Sequence, residues 1–184
     1  MTDWRKVEGY LLDSEIPILQ EYCKGKNVLE IGSFKGKSAC VIAPVAKSLV
    51  CVDTFKVHDN GRTQDGNTLD IFKQNTKEFD NVRCVVGDSI KVIPRKTKKN
   101  SFDVVFIDGG HLFPEVSADI KVCWPKLKIG GIVIFHDTDW NAEPNIGGVW
   151  KAIITHFDTQ QVQKNINLTS ISIVKKTQEY LKGT

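Results

Sequence analysis

Four ionisable side chains follow two apolar runs of the chain, at the points where predicted strands end. Asp108 and His111 follow the first run, and His136 and Asp137 follow the second. Ligands bind at the carboxyl edge of open α/β sheets, so we expect these side chains at one edge. Carboxylates suit Mg²⁺, Mn²⁺ or Ca²⁺, and histidines favour a transition metal. The pattern predicts a metal site with Asp108 and Asp137 as ligands, and strand-end caps are the alternative.

A glycine turn of the form Glu-x-Gly-x-x-x-Gly is the second chemical pattern. Gly32 and Gly36 let the backbone turn sharply, and Ser38 marks the start of a helix whose free N–H groups face a ligand. A dinucleotide fingerprint has a middle glycine where this chain has Phe34. The acid at Glu30 disfavours a pyrophosphate and suits an ammonium group, as in S-adenosylmethionine. A tight turn without a ligand is the alternative.

Two more acids end predicted strands. Asp53 lies about twenty residues after the turn, where doubly wound folds place a carboxylate on ribose hydroxyls. It could instead cap a loop. Asp88 and Ser89 follow the next strand and could hydrogen-bond an adenine edge. Asp88 could equally be the N-cap of the helix that follows.

The bulk composition indicates one globular domain. The chain has 184 residues, 41% of them hydrophobic, and a net charge of +3, which is too small to argue for nucleic acid or a membrane. We expect a helical lead-in or lid over residues 1–26 and an α/β core over 27–184. Neither a signal peptide nor a membrane span is visible, so a cytoplasmic location is expected.

Two other features have ordinary interpretations. The basic segment 94–100 lacks interleaved aromatic residues and is read as a solvated face. The five cysteines form no C-x-x-C pair, so we expect reduced thiols and no zinc site; they are Cys23, Cys40, Cys51, Cys84 and Cys123.

The positioning elements alternate between strands and helices. Polar residues 56–67 predict a long loop at the ligand end. Strands are predicted at 27–31, 48–53, 82–86, 102–107 and 132–135, with two closing strands in 161–174 that would form an antiparallel hairpin. Helices are predicted at 7–24 with a break at Pro17, 38–47 shortened by Pro44, 68–79, 116–127 ended by Gly130-Gly131, and 149–157.

The ordered motifs resemble the class I S-adenosylmethionine-dependent methyltransferases. The similarity covers residues 7–174 and is strongest to the small O-methyltransferase-like branch, whose fourth strand ends D-G-x-H and whose fifth ends H-D. It implies a doubly wound, mostly parallel seven-stranded sheet of order 3-2-1-4-5-7-6 with an antiparallel last strand. The motifs that carry it are the glycine turn, Asp53, Gly87-Asp88-Ser89, Asp108-Gly109-Gly110-His111 and Gly130-Gly131 before His136-Asp137.

The resemblance also implies a role for each matching residue. His111 would be the general base, Asp108 would lie near the methionine ammonium and the metal, and Asp137 would be a second ligand, with Asp139 the nearest candidate for a third. Leu112 stands where the branch commonly has tyrosine. The implied cofactor contacts are Glu30, Gly32, Ser33, Gly36 and Ser38 for the methionine end, Asp53 and Thr54 for the ribose, Asp88 and Ser89 for the adenine, and Asp108.

The expected reaction is methyl transfer from S-adenosylmethionine to a hydroxyl of a small molecule such as a sugar or phenol. The sulfonium already activates the methyl group, so the protein must align and deprotonate the acceptor. A divalent cation such as Mg²⁺, the second candidate cofactor, could lower the pKa of the hydroxyl, and His111 could accept its proton.

Three other functions remain open. A nucleic-acid amino-methyltransferase typically carries D/N-P-P-Y/F, which this chain lacks after its fourth strand. A protein that binds the cofactor without catalysis is the second, and an NAD-dependent oxidoreductase fits the glycine spacing poorly. The sequence sets neither the acceptor nor the oligomeric state, for which a homodimer is one candidate. Candidate acceptor contacts are Tyr10, His58, Arg62, Trp140 and Asn141.

Overall fold

A seven-stranded sheet forms the centre of the chain. We describe it from a computed structural model that covers residues 2–59, 62–64, 68–138, 147–164, 166–177 and 181. The strands, labelled in chain order within this sheet, are β1 Asn27–Ile31, β2 Ser48–Asp53, β3 Val82–Val86, β4 Phe102–Ile107, β5 Leu127–Phe135, β6 Val162–Gln163 and β7 Ser172–Lys175.

The order of these strands is β3-β2-β1-β4-β5-β7-β6. The first five pair in parallel, and β7 runs antiparallel to both β5 and β6. This arrangement confirms the expected order 3-2-1-4-5-7-6 with an antiparallel last strand. It also confirms the closing antiparallel hairpin.

Six helices accompany the sheet in the described part of the chain. Single 3-10 turns lie at Trp4–Lys6, Asp13–Glu15, Trp124–Lys126, Thr159–Gln161 and Ile166–Leu168. The helices are α1 Ile16–Cys23, α2 Lys37–Ile42, α3 Thr68–Thr76, α4 Ser89–Lys96, α5 Phe113–Cys123 and α6 Gly147–His156. Within the described ranges, none of them is long and apolar enough to cross a membrane.

Several predictions about these elements were wrong: the helices predicted at 38–47, 68–79 and 116–127 are Lys37–Ile42, Thr68–Thr76 and Phe113–Cys123, and three other differences concern the arrangement of the elements. The lead-in helix begins at Ile16, and Pro17 lies in its first turn, where a missing N–H costs little, so the proline does not split a longer helix. The strand β5 begins at Leu127 and contains Gly130-Gly131, with a register shift against β4, so the glycines do not end the preceding helix. Segments Val57–Asp59 and Arg62–Gln64 pair as short antiparallel strands inside the predicted loop.

The two faces of the sheet bury separate apolar clusters. Val28 points into a cluster with the lead-in and α2, whereas Leu29 and Ile31 point into a cluster with α5 and α6. This alternation along β1 is the two-residue period of a strand that is covered on both sides. The ionisable groups at the strand ends are therefore mounted on a rigid core.

The glycine turn requires its first glycine for two reasons. Gly32 has a φ of +86°, in the left-handed region that residues with a Cβ adopt only at a cost in strain. A Cβ at this position would lie 2.1 Å from the Asp108 carbonyl oxygen and 2.6 Å from the Gly109 Cα. The turn after β1 therefore lies directly against the end of β4, and only glycine fits between them.

We expect Gly32→Ala to lower the free energy of unfolding by roughly 3–5 kcal/mol, because backbone strain and a backbone clash act together. Gly25→Ala is the matched control: its φ is +71°, but no atom lies within 4 Å of the added Cβ. Strain alone should cost about 1 kcal/mol there. Urea unfolding measures both, and equal losses in the two variants would contradict the close approach.

Candidate active site

The turn after β1 is held by the strand-end acid of β2. The Oδ2 atom of Asp53 accepts hydrogen bonds from the backbone N–H groups of Ser33 at 2.7 Å and Phe34 at 2.8 Å, and its Oδ1 accepts from Phe55 N–H at 2.6 Å. Asp53 therefore caps two turns, as one of the two sequence interpretations had it. A carboxylate has about four acceptor positions, so a contact to ribose stays a prediction.

The acid of the glycine turn is buried. Glu30 has no exposed surface, its Oε2 accepts from the Ser33 hydroxyl at 2.6 Å, and its Oε1 has no partner among the described residues. Burial raises the pKa of this carboxyl to about 7, against the lowering effect of nearby hydroxyl and thiol groups. Contacts of Glu30, Ser33, Gly36 and Ser38 to a cofactor remain predictions.

The acid after β3 caps a helix. Asp88 Oδ1 accepts from Ile90 N–H at 3.2 Å, which makes Asp88 the N-cap of α4. The Ser89 hydroxyl donates to Asp119 of α5, a buried acid whose pKa burial raises to about 6. Sequence reasoning missed Asp119, because its partner is distant in the chain. The adenine contacts of Asp88 and Ser89 stay predictions, as does any contact of the exposed Thr54.

The structure brings together all four ionisable side chains at the ends of β4 and β5. Asp108 N–H bonds to the Ile31 carbonyl at 2.8 Å, and His136 N–H to the Ile107 carbonyl at 3.1 Å, so the parallel pairing continues one residue past each strand. His111 Nε2 lies 3.0 Å from Asp137 Oδ2. The prediction that these four side chains lie close together at one edge of the sheet is confirmed.

His136 lies at the centre of this cluster. Its Nδ1 is 3.0 Å from Asp108 Oδ1 and 3.3 Å from Asp137 Oδ2, close ionic contacts without good hydrogen-bond alignment. Its Nε2 is 2.9 Å from Glu15 Oε2. The side chain is 4% exposed, so three carboxylates surround a buried imidazole.

Glu15 is a second residue, after Asp119, that the sequence did not reveal. It is fully buried, accepts from the Ser170 hydroxyl at 2.6 Å and from Leu12 N–H at 2.9 Å, and reaches His136 across the sheet edge. An acid just before a helix resembles any other N-terminal acid. Its partner is 121 positions away in the sequence, so no local pattern points to it.

The charges of the cluster follow from these contacts. Burial lowers the pKa of His136, but the carboxylates of Asp108, Asp137 and Glu15 outweigh it and raise the pKa to about 12. Burial raises the pKa of Asp137, yet both histidines hold it well below its usual range. The hydrogen bond to Asp137 raises the pKa of His111, and burial raises that of Asp108. His136 is therefore an imidazolium at neutral pH.

The donor atoms suit a divalent cation. Asp108, His111 and Asp137 each offer one ligand atom, and these atoms lie within 4.8 Å of one another. Bond lengths near 2.1 Å would require only a small closure of this set. Two carboxylate oxygens and one imidazole fit Mg²⁺, Mn²⁺ or a later transition metal. The cluster thus has the chemistry of a metal site, although His136 already supplies one positive charge beside it.

The expected acceptor contacts are only partly described. Tyr10 is 83% exposed, and its ring stacks on Phe34 of the glycine turn at 6.1 Å between centroids. Outside the described residues lie Asp139, Trp140, Asn141 and the side chains of His58 and Arg62.

Comparison with known proteins adds three findings. A family model described as a methyltransferase domain matches residues 29–138. A search of curated proteins found no match. Several solved structures share the fold.

Three of these structures illustrate the similarity, each at under 20% identity. Cofactor-bound Rv0187 from MTB has a TM-score of 0.70 at 13% identity, over 94% of this chain and 84% of that one. The O-methyltransferase TomG from Streptomyces achromogenes, in complex with SAM, gives 0.66 at 16%, over 92% and 82%. The O-methyltransferase from Bacillus cereus, in complex with SAH, gives 0.65 at 18%, over 91% and 83%.

We expect Glu15→Gln to lower the free energy of unfolding at pH 7 by about 3 kcal/mol or more, because it leaves the His136 imidazolium without one of its buried carboxylates. The control is Glu8→Gln, which removes a 2.6 Å pair to Lys35 from a glutamate side chain that is 70% exposed. That pair should contribute well under 1 kcal/mol. Urea unfolding compares them, and similar losses would contradict the buried network.

The pH dependence of stability should distinguish the two buried glutamates. Because the pKa of Glu30 rises from 4.5 to about 7 in the fold, its stabilising contribution is full below pH 4.5 and declines up to about pH 7. Between pH 4.5 and about pH 7, the free energy of unfolding of Glu30→Gln should therefore rise relative to that of the wild type, by on the order of 3 kcal/mol. Burial raises the pKa of Glu15, but its contacts to His136 and Ser170 lower it below 4.5 overall. Relative to the wild type, Glu15→Gln should therefore lose stability as pH rises towards 4.5 and show little further change above it. Parallel trends in urea unfolding would refute the assignment.

Proposed function

This chain belongs to the methyltransferase-domain family, and from that premise we propose that it transfers the methyl group of S-adenosylmethionine to a hydroxyl of a small molecule. The proposal rests mainly on one contact at the carboxyl edge of the sheet. It joins the half of the edge formed by the glycine turn after β1 to the half formed by the ionisable cluster at the ends of β4 and β5. The glycine turn lies against the backbone of Asp108 and Gly109, so a cofactor on the turn would lie beside the Asp108–His111–Asp137 cluster.

Each polar group of S-adenosylmethionine would have a partner at the sheet edge. The S-adenosylmethionine ammonium would meet Asp108, whose side chain is 23% exposed, and the fully buried Glu30 would act through the turn that it holds at Ser33. The ribose hydroxyls would use the remaining acceptor positions of Asp53. Asp88 and Ser89 lie at the neighbouring strand end for the adenine. The complexes of TomG with SAM and of the Bacillus cereus enzyme with SAH, which share the fold, support this cofactor.

His111 is the proposed general base. The side chain of His111 is 39% exposed, whereas His136 is buried and already protonated. His111 is therefore the imidazole that an acceptor can reach. Asp137 at 3.0 Å orients the ring and stabilises the imidazolium that forms when the acceptor hydroxyl loses its proton. The acceptor oxygen would then form a bond to the methyl carbon of S-adenosylmethionine and displace a neutral thioether from it.

Asp108 and Asp137 are the proposed ligands of a divalent cation, with His111 as a third donor in the absence of substrate. When bound, such a cation would lower the pKa of the acceptor hydroxyl. Tyr10 and Phe34 would contact the acceptor on the side of the turn. A cytoplasmic location and a homodimer stay predictions.

We expect His111→Gln to lower kcat by about 10²–10⁴-fold while S-adenosylhomocysteine affinity changes less than about twofold, because the base acts only in the transfer step. The assay is product detection over a panel of catechols and sugars, with Mg²⁺ or Mn²⁺. The wild-type rate should fall as the pH is lowered, because protonated His111 cannot act as a base. The midpoint of this fall should lie above pH 6.5, since the pKa of His111 is raised from that value. Asp13→Asn, at an exposed acid of the lead-in, is the control and should keep full activity. Undiminished kcat in His111→Gln would overturn the role of His111.

A further inference from the structure

A groove between α5 and α6 forms a cavity that is lined in part by polar groups. Its volume is about 350 Å³, near the lower end of small-molecule sites. The groove lies outside the strand-edge cluster, although α5 begins two residues after His111. Its lining comes from both helices: Phe113, Pro114, Ser117, Ala118, Lys121, Thr155 and His156.

Two polar atoms of this lining have no partner in the described structure. They are the Ser117 Oγ and the His156 Nε2, and each belongs to a side chain that is only 7% exposed. A buried polar atom without a hydrogen bond typically costs about 1–3 kcal/mol, so such atoms are uncommon in native proteins. Both atoms are covered by their neighbours, so a rotation of each side chain would present its polar atom to a polar group bound in the groove.

The electrostatics of the groove favour an anion. Burial and the Lys121 ammonium both lower the pKa of His156, which places a positive charge close to the imidazole. The ammonium of Lys151 lies 4.9 Å from the centroid of the Phe113 ring, at the other end of the groove. The described lining contains no carboxylate. A bound anion would meet cations and hydrogen-bond donors with no opposing negative charge in this lining.

The remaining walls are apolar. Phe113, Pro114 and Ala118 present a ring and aliphatic groups along α5, next to Ser117. An inorganic ion would leave this surface uncovered, whereas a compact apolar body would fill it. We propose that the groove binds a small organic anion, with its charged head between Lys121, Ser117 and His156 and its apolar body against Phe113.

In this arrangement each contact uses a group that is otherwise unpaired. The Ser117 hydroxyl donates to the anion, and His156 donates through Nε2–H in the corresponding tautomer. Lys121 adds the opposite charge at the open side of the groove, where its side chain is exposed. None of these residues takes part in the proposed methyl transfer.

The experiment is an NMR titration of the His156 imidazole, assigned by the loss of its signals in His156→Gln. The probes are benzoate, benzamide as its neutral counterpart, and inorganic phosphate as an anion without an apolar body. Benzoate should shift the His156 signals and raise the pKa of the imidazole, because a nearby anion stabilises its charged form. Benzamide and phosphate should each bind at least tenfold more weakly.

Two variants locate the site. Lys121→Gln and Ser117→Ala should each weaken benzoate binding at least threefold, and the exposed Lys98→Gln should leave it unchanged. His111→Gln should also leave it unchanged, which separates this groove from the candidate active site. The proposal is overturned if benzoate leaves His156 unshifted, if benzamide or phosphate binds as tightly as benzoate, or if Lys121→Gln binds benzoate like the wild type.

Discussion

The site geometry depends on the ionic contacts between the buried imidazole of His136 and three carboxylates. The imidazole touches carboxylates from three segments: Glu15 before α1, Asp108 after β4, and Asp137 beside it. Isolated burial of any of these charges would be costly, so each is held in place by the others. The lead-in is thereby fixed to the sheet edge, and Asp137 is fixed where it can orient His111. One charged core residue thus positions the carboxylate that orients the catalytic candidate.

In the cofactor half of the edge, a single polar side chain again fixes neighbouring segments of the chain. Asp53 gathers the backbone N–H groups of the glycine turn, and Gly32 allows that turn to rest on the backbone of β4. The two halves therefore share a rigid contact. A methyl donor on one half and a deprotonated acceptor on the other would meet in a geometry that the fold sets in advance, which is where much of the rate enhancement of group transfer arises.

The motifs at the strand ends were predictable because each is local. An apolar run followed by an acid marks the end of a buried parallel strand, and adjacent ends share an edge. Glu15 and Asp119 were not predictable, because their partners His136 and Ser89 are far away in the chain. The error at Gly130-Gly131 has a related cause. Glycine usually stops a helix, but here the pair lies at an irregularity within β5, which only the pairing with β4 reveals.

The glycine turn is proposed to hold S-adenosylmethionine beside the strand-edge cluster. Calorimetric titration of S-adenosylhomocysteine into the protein at pH 7, with and without Mg²⁺, tests this proposal most directly. We expect one binding site per chain under both conditions, and much weaker binding in Asp53→Asn, whose turn loses its anchoring carboxylate. Absence of binding under both conditions, or unchanged affinity in Asp53→Asn, would contradict it.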